Sequence, residues 1–147
     1  MFGHTFFCSC VSLLVLFASA VSGAERLLSS TEASAKSKAG IVQIIDVRNP
    51  WEWKKTGVPK GAWTVTIHGP KGLTGFVAEV ISEVGGNKRK PVAVICARGT
   101  RSAQAAAELI LSGFENVWNI REGMLGNMQD GGGWLKHDLP VEKCNGC

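Results

Sequence analysis

Four short apolar runs, Ile41–Ile45, Ala62–Ile67, Val92–Ile95 and Val117–Ile120, constrain the fold of this chain more than any other feature. Each is strand-length and rich in β-branched residues. Ile41-Val42-Gln43-Ile44-Ile45 and Val92–Ile95 are apolar almost throughout, as a parallel strand covered on both faces must be. Ala62–Ile67 alternates instead, with Trp63, Val65 and Ile67 on one side. Helical patterning fills the gaps between the runs. Trp51–Lys55 follows Asn49-Pro50, which puts a proline near the first helical position. Gly75–Val84 gathers Phe76, Val77, Val80, Ile81 and Val84 on one face and stops at Gly85-Gly86-Asn87. Ala103–Leu111 is alanine-rich, packs through Leu109 and Ile110, and closes at Gly113 as C′ residue. Arg121–Gly126 reads as a loop or short helix. Alternating strands and helices predict an α/β fold with a mainly parallel sheet flanked by helices. Ligands of such sheets bind beyond the carboxyl ends of the strands. Asp46–Arg48, Cys96–Arg101 and Arg121–Glu122 each follow a strand, so all three are expected at one edge.

The chemistry concentrates in Cys96-Ala97-Arg98-Gly99-Thr100-Arg101-Ser102, between the third apolar run and the alanine-rich helix. That order reads as strand, tight loop, helix. A helix N-terminus carries roughly +0.5 of a charge and several unbonded N–H groups. Two arginines and a glycine add donors and room for inward-facing backbone. A free thiol titrates near ~8.5 and falls to ~3.5–7.5 in such surroundings. Cys96 is therefore expected to be an activated thiolate rather than the inert buried hydrophobe that an isolated cysteine usually is.

The first 24 residues hold no Lys, Arg, Asp or Glu. Their apolar stretch Phe6–Phe17 precedes small residues at Ala18, Ser19, Ala20, Ser22, Gly23 and Ala24. This is the shape of a secretory signal peptide, too short for the about 20 residues of a membrane span. Cleavage after Ala20, Gly23 or Ala24 is open, and cleavage after Ala24 makes Glu25 the mature start. Residues 25–40 are polar and read as a linker or loose helix, residues 41–141 as the domain, and residues 142–147 as a tail. The expected location is the periplasm, with the extracellular space as the alternative, and no stable membrane insertion after cleavage. The formal charge is +4, with the basic residues scattered and not interleaved with aromatics, which argues against nucleic acid and suits a small anionic substrate.

Cleavage leaves Cys96, Cys144 and Cys147, an odd count that pairs a free thiol with a Cys-x-x-Cys. The terminal pair is either a local disulfide of little stabilising effect or a redox partner that resolves a sulfur-bearing Cys96. No second pair exists to complete a zinc site.

The ordered set Asp46-Val47-Arg48, Trp51-Glu52-Trp53, Gly61-Ala62, Cys96–Ser102, Gly113-Phe114-Glu115-Asn116-Val117 and Glu122-Gly123-Met124-Leu125-Gly126 resembles a single-domain rhodanese of the exported type. The resemblance runs from about Ile41 to Val141. It implies a five-stranded parallel sheet between helices, and transfer of sulfane sulfur from a donor such as thiosulfate to cyanide or a thiol. By position, Cys96 would become a persulfide, cradled by main-chain N–H groups of Ala97, Arg98, Gly99, Thr100 and Arg101, with Arg101 closing the loop and Ser102 the last of the loop-binding residues. Arg98 would meet an anionic donor. Asp46 and Arg48 would form a supporting ion pair, and residues 122–126 would line the rim. No metal or organic cofactor is implied. Many rhodaneses carry a histidine where this chain has Val58, which bears on loop packing. Related cysteine phosphatases have five residues between cysteine and arginine, whereas four separate Cys96 from Arg101. The shorter ring suits a sulfur atom on the cysteine better than a phosphate. A sulfur-carrier or thiol–disulfide module using Cys144 and Cys147 is the other reading.

Overall fold

The computed structural model describes Met1, residues 26–144, Gly146 and Cys147. The expected signal peptide beyond Met1, with Cys8 and Cys10, lies outside the described residues. Seven strands and four helices follow in the order β1 (Arg26–Leu28), α1 (Ser30–Lys38), β2 (Gln43–Asp46), α2 (Pro50–Thr56), β3 (Val58–Pro59), β4 (Trp63–Thr64), α3 (Gly72–Glu83), β5 (Val92–Ile95), α4 (Thr100–Leu111), β6 (Val117–Ile120) and β7 (Val141–Glu142). The main sheet has five strands in the order β1-β6-β5-β2-β4, and every pairing in it is parallel. β3 and β7 form a separate antiparallel pair.

Period-two alternation along the central strands feeds two cores. Ile45, Val92 and Val94 face one side, where they meet Phe76 and Val80 of α3 and Ala105, Ala106 and Leu109 of α4. Ile44, Ala93 and Ile95 face the other, against Leu28, Ala33, Met124 and Trp134. All four residues of β5 are buried, as a strand with cores on both faces requires. Full burial of one such aliphatic side chain contributes about 1.5–3 kcal/mol. Val58 is buried in β3, so an apolar residue seats where the resembling proteins carry histidine.

The segment read as a linker or loose helix is helical over Ser30–Lys38, with a short strand before it. Its residues 26–28 pair with Trp118–Ile120 of β6 as the sheet's edge strand, and α1 follows directly. Polar caps rather than an apolar face hold α1. Ser29 and Glu32 form a reciprocal capping box, and the N–H and hydroxyl of Ser30 donate to the buried Glu122 carboxylate at 2.6 and 3.1 Å. The alternating run from Ala62 is regular strand only at Trp63–Thr64. Val65 and Ile67 nevertheless continue the pairing, with their N–H groups donating to Asp46 O and Val47 O at 3.1 Å each.

Candidate active site

Cys96 is the first residue past β5, and α4 begins four residues later at Thr100. The turn between them closes around the thiol. Cys96 is buried, and its Sγ accepts the Gly99 N–H at 3.1 Å and lies 3.3 Å from the Ser102 hydroxyl. The same hydroxyl lies 3.0 Å from Gly99 O. Its one proton can thus pass from the carbonyl to the sulfur as charge on the sulfur grows. The first intrahelical bond of α4 runs from Ala103 N to Gly99 O. Thr100, Arg101 and Ser102 therefore occupy the opening turn, whose N–H groups have no intrahelical acceptor and carry the positive end of the helix dipole.

Gly99 makes the turn possible. Its φ is +94°, and a Cβ there would stand 2.1 Å from Arg121 O. The turn is braced from beneath by the strand-end loop after β6. Met124 N and Leu125 N donate to Cys96 O and Ala97 O at 2.9 Å each. Asn127 Nδ2 lies 3.2 Å from Arg98 O and 2.9 Å from Arg121 O, and Asn119 Nδ2 donates to Gly99 O at 3.4 Å. The exposed Arg98 donates through Nη1 to Gly126 O at 3.1 Å, so one edge of its guanidinium is tied to the loop.

Residues 122–126 lie against the cysteine loop. Their main chain grips the cysteine loop, while Glu122 turns away to the N-terminus of α1. Gly123 has φ +65°, and a Cβ on it would stand 2.6 Å from Cys96 O. The sequence offered no signal for Asn119 or Asn127 as clamps of the loop, because neither belongs to a motif and both act through backbone carbonyls.

Two guanidinium–carboxylate pairs stand beside the loop. Arg101 Nη1 and Nη2 each lie 2.8 Å from one oxygen of Glu52, a bidentate pair reaching across 49 residues of sequence. The Arg101 hydrogen bonds, aided by the Asn49 N–H at 3.0 Å, hold the Glu52 carboxyl below the usual carboxylate range despite burial. The same contact pushes the Arg101 guanidinium pKa up, with the Cys96 charge adding to it. Sequence reading valued Glu52 only as part of a helix start, so this partner of Arg101 was missed. The second pair, Asp46–Arg48, is fully buried. Arg48 Nε and Nη2 reach Asp46 at 2.9 and 2.6 Å, and its remaining donors meet Thr56 Oγ1 and Gly57 O at 2.8 Å each. All three guanidinium nitrogens of Arg48 are thus engaged within the protein, so the pair shapes the wall behind the site.

The sheet edge thus gathers a buried cysteine sulfur, an opening helix turn and two cationic side chains in one α/β domain. Residues 29–128 match the rhodanese-like domain family, and the chain belongs to it. A sulfurtransferase of Allochromatium vinosum is 29% identical over 100 residues, spanning 68% of this chain and 78% of that protein. A tRNA uridine(34) hydroxylase of Teredinibacter turnerae is 32% identical over 89 residues, 60% of this chain, and the match spans only 26% of that longer protein. Among solved structures, a Rhodopseudomonas palustris protein described as a possible tyrosine phosphatase is 25% identical with a TM-score of 0.56, covering 80% of this chain and 85% of its own. The Pseudomonas aeruginosa thiosulfate sulfurtransferase shares the fold at 22% identity and a TM-score of 0.61, over 80% of this chain and 20% of that one.

Cys144 and Cys147 are joined by a disulfide, and Cys96 is a free thiol. Among the described residues no helix is long and apolar enough to cross a membrane.

Proposed function

We propose that this protein is a sulfurtransferase that carries sulfane sulfur on Cys96. The observation that carries the reading is the Cys96 Sγ itself, met by the Gly99 N–H and the Ser102 hydroxyl at the positive end of α4. The 29% identity to a protein named sulfurtransferase supports the same class. The donor is a small anion such as thiosulfate. The Cys96 thiolate attacks its outer sulfur, a sulfur–sulfur bond forms to Cys96, and the donor's own sulfur–sulfur bond breaks with sulfite leaving. Cyanide or a thiol then attacks the outer sulfur of the persulfide, and Cys96 returns as thiolate. With cyanide the product is thiocyanate. Charge is conserved in both steps, and neither needs an external oxidant or reductant.

The loop's part is electrostatic. Fixed N–H groups and the Ser102 hydroxyl favour negative charge on the inner or outer sulfur, at about 1.5–3 kcal/mol for each hydrogen bond to a charged atom. Arg98 and Arg101 draw the anionic donor to the mouth, and Glu52 fixes the orientation of Arg101. On this reading the protein works after export, in an oxidising compartment where the Cys144–Cys147 bond persists. That disulfide favours a second reading, a thiol–disulfide module acting through the tail.

Thiocyanate formation from thiosulfate and cyanide separates the two. Sulfurtransfer on Cys96 predicts turnover in the wild type and in a Cys144→Ser, Cys147→Ser double variant, and none in Cys96→Ser. Turnover that survives Cys96→Ser, or that vanishes with the tail cysteines, would contradict the proposal.

A further inference from the structure

A second concave site lies at the opposite end of the sheet. A cavity of about 680 Å³ opens where the chain enters β2 and β5, between the last turn of α1 and the closing segment that carries Trp134 and Pro140. Its volume falls within the ~300–1,000 Å³ of small-molecule sites. Pro91, just before β5, lines it and Cys96 follows β5 at the other end, so the strand separates the two by about 16 Å at ~3.3 Å per residue. An occupant here takes no part in chemistry at Cys96.

The lining is one-signed. It holds Lys38, Lys60 and Lys90 and no Asp or Glu. Among the described residues the ion pairs join Arg48 to Asp46, Arg101 to Glu52 and Arg121 to Asp130, and none of these engages a cavity lysine. Lys90 Nζ instead sits 4.5 Å from the centre of the Trp63 ring. The Glu142 carboxylate accepts the N–H of the lining residue Gly61 at 2.9 Å. Three of the last four carbonyls of α1 are engaged, with Ala35 O, Lys36 O and Ser37 O accepting from Ala39, Ile41 and Gly40. The floor is apolar, formed by Val42 and Trp134, and Ile41 stands 55% exposed at its side.

We propose that this cavity binds a small amphipathic anion, with an apolar or aromatic body against Ile41, Val42 and Trp134 and a carboxylate, sulfonate or phosphate head among the three lysines. The probe for the test is 8-anilinonaphthalene-1-sulfonate, compared with its uncharged parent N-phenyl-1-naphthylamine, on the mature protein. The expected result is saturable binding of one sulfonate per chain. Amide resonances of Gly40, Ile41 and Gly61 shift, while those of Gly99 and Thr100 stay. Lys38 and Lys60 are both exposed, so a Lys38→Glu, Lys60→Glu variant is expected to fold, with Lys38→Gln, Lys60→Gln held in reserve. Reversing two charges should weaken the sulfonate about tenfold, and the uncharged parent should bind the wild type about tenfold more weakly. Absence of saturable binding, equal affinity of the charge-reversed variant, equal affinity of the uncharged parent, or shifts confined to the Cys96 loop would overturn the proposal.

Discussion

The two guanidinium–carboxylate pairs beside the cysteine loop use the same groups for different ends. Arg48 and Asp46 are 2% and 0% exposed, and each guanidinium nitrogen of Arg48 has a partner inside the protein. Arg101 and Glu52 are 24% and 9% exposed, and the pair spans two elements rather than one strand end. The first pair is part of the wall. The second is a positioned cation beside the thiol. A buried pair weighs on stability mainly when one partner is removed, because the other charge is then stranded; a partly exposed pair costs less to lose and can set geometry.

This contrast can be broken at either pair. Arg48→Ala should be the largest effect, about 3–5 kcal/mol lost in denaturant unfolding, because Asp46 is left buried without its partner. Replacing both partners with apolar residues of similar size should restore much of that loss. Arg101→Lys should leave stability within about 1 kcal/mol and lower kcat/KM for thiosulfate roughly tenfold, since a point charge cannot keep the bidentate contact to Glu52. Equal destabilisation at the two sites would erase the distinction between them.

The pH dependence sharpens the second pair. The folded-state pKa of Glu52 is depressed by Arg101, so its contribution is full above the ordinary glutamate value of about 4.3 and is lost as pH falls through the lower folded value. The stability difference between wild type and Glu52→Gln should be constant from about pH 5 upward and shrink below about pH 4. A difference that instead shrank on raising the pH would contradict the assigned direction. The smallest effect is expected far from both pairs. Ser29→Ala removes the capping box of α1 and should cost about 1 kcal/mol, measured by thermal unfolding, with turnover unchanged.

The same contrast explains what the sequence disclosed. β2, β5 and β6 were legible because their apolar side chains carry their own pattern, and the Cys96 loop was legible because its chemistry is contiguous. β1 and α1 were not. Only Leu28 is buried in β1 and only Ser30 and Ala33 in α1, so caps and the β6 partner hold them instead of periodicity. β3 and β7 are two residues each and exist only through one another. At the site, Cys96 and its following residues were readable, whereas Glu52 and Asn127 were not. They reach the loop from distant elements, and a single sequence carries no sign of such a contact.

The most direct test of the central claim is the intact mass of the protein before thiosulfate, after it, and after subsequent cyanide, with Cys96→Ser alongside. The account predicts a gain of one sulfur atom that cyanide removes, seen in the wild type and absent in the variant. An unchanged wild-type mass, or the same gain in Cys96→Ser, would contradict it.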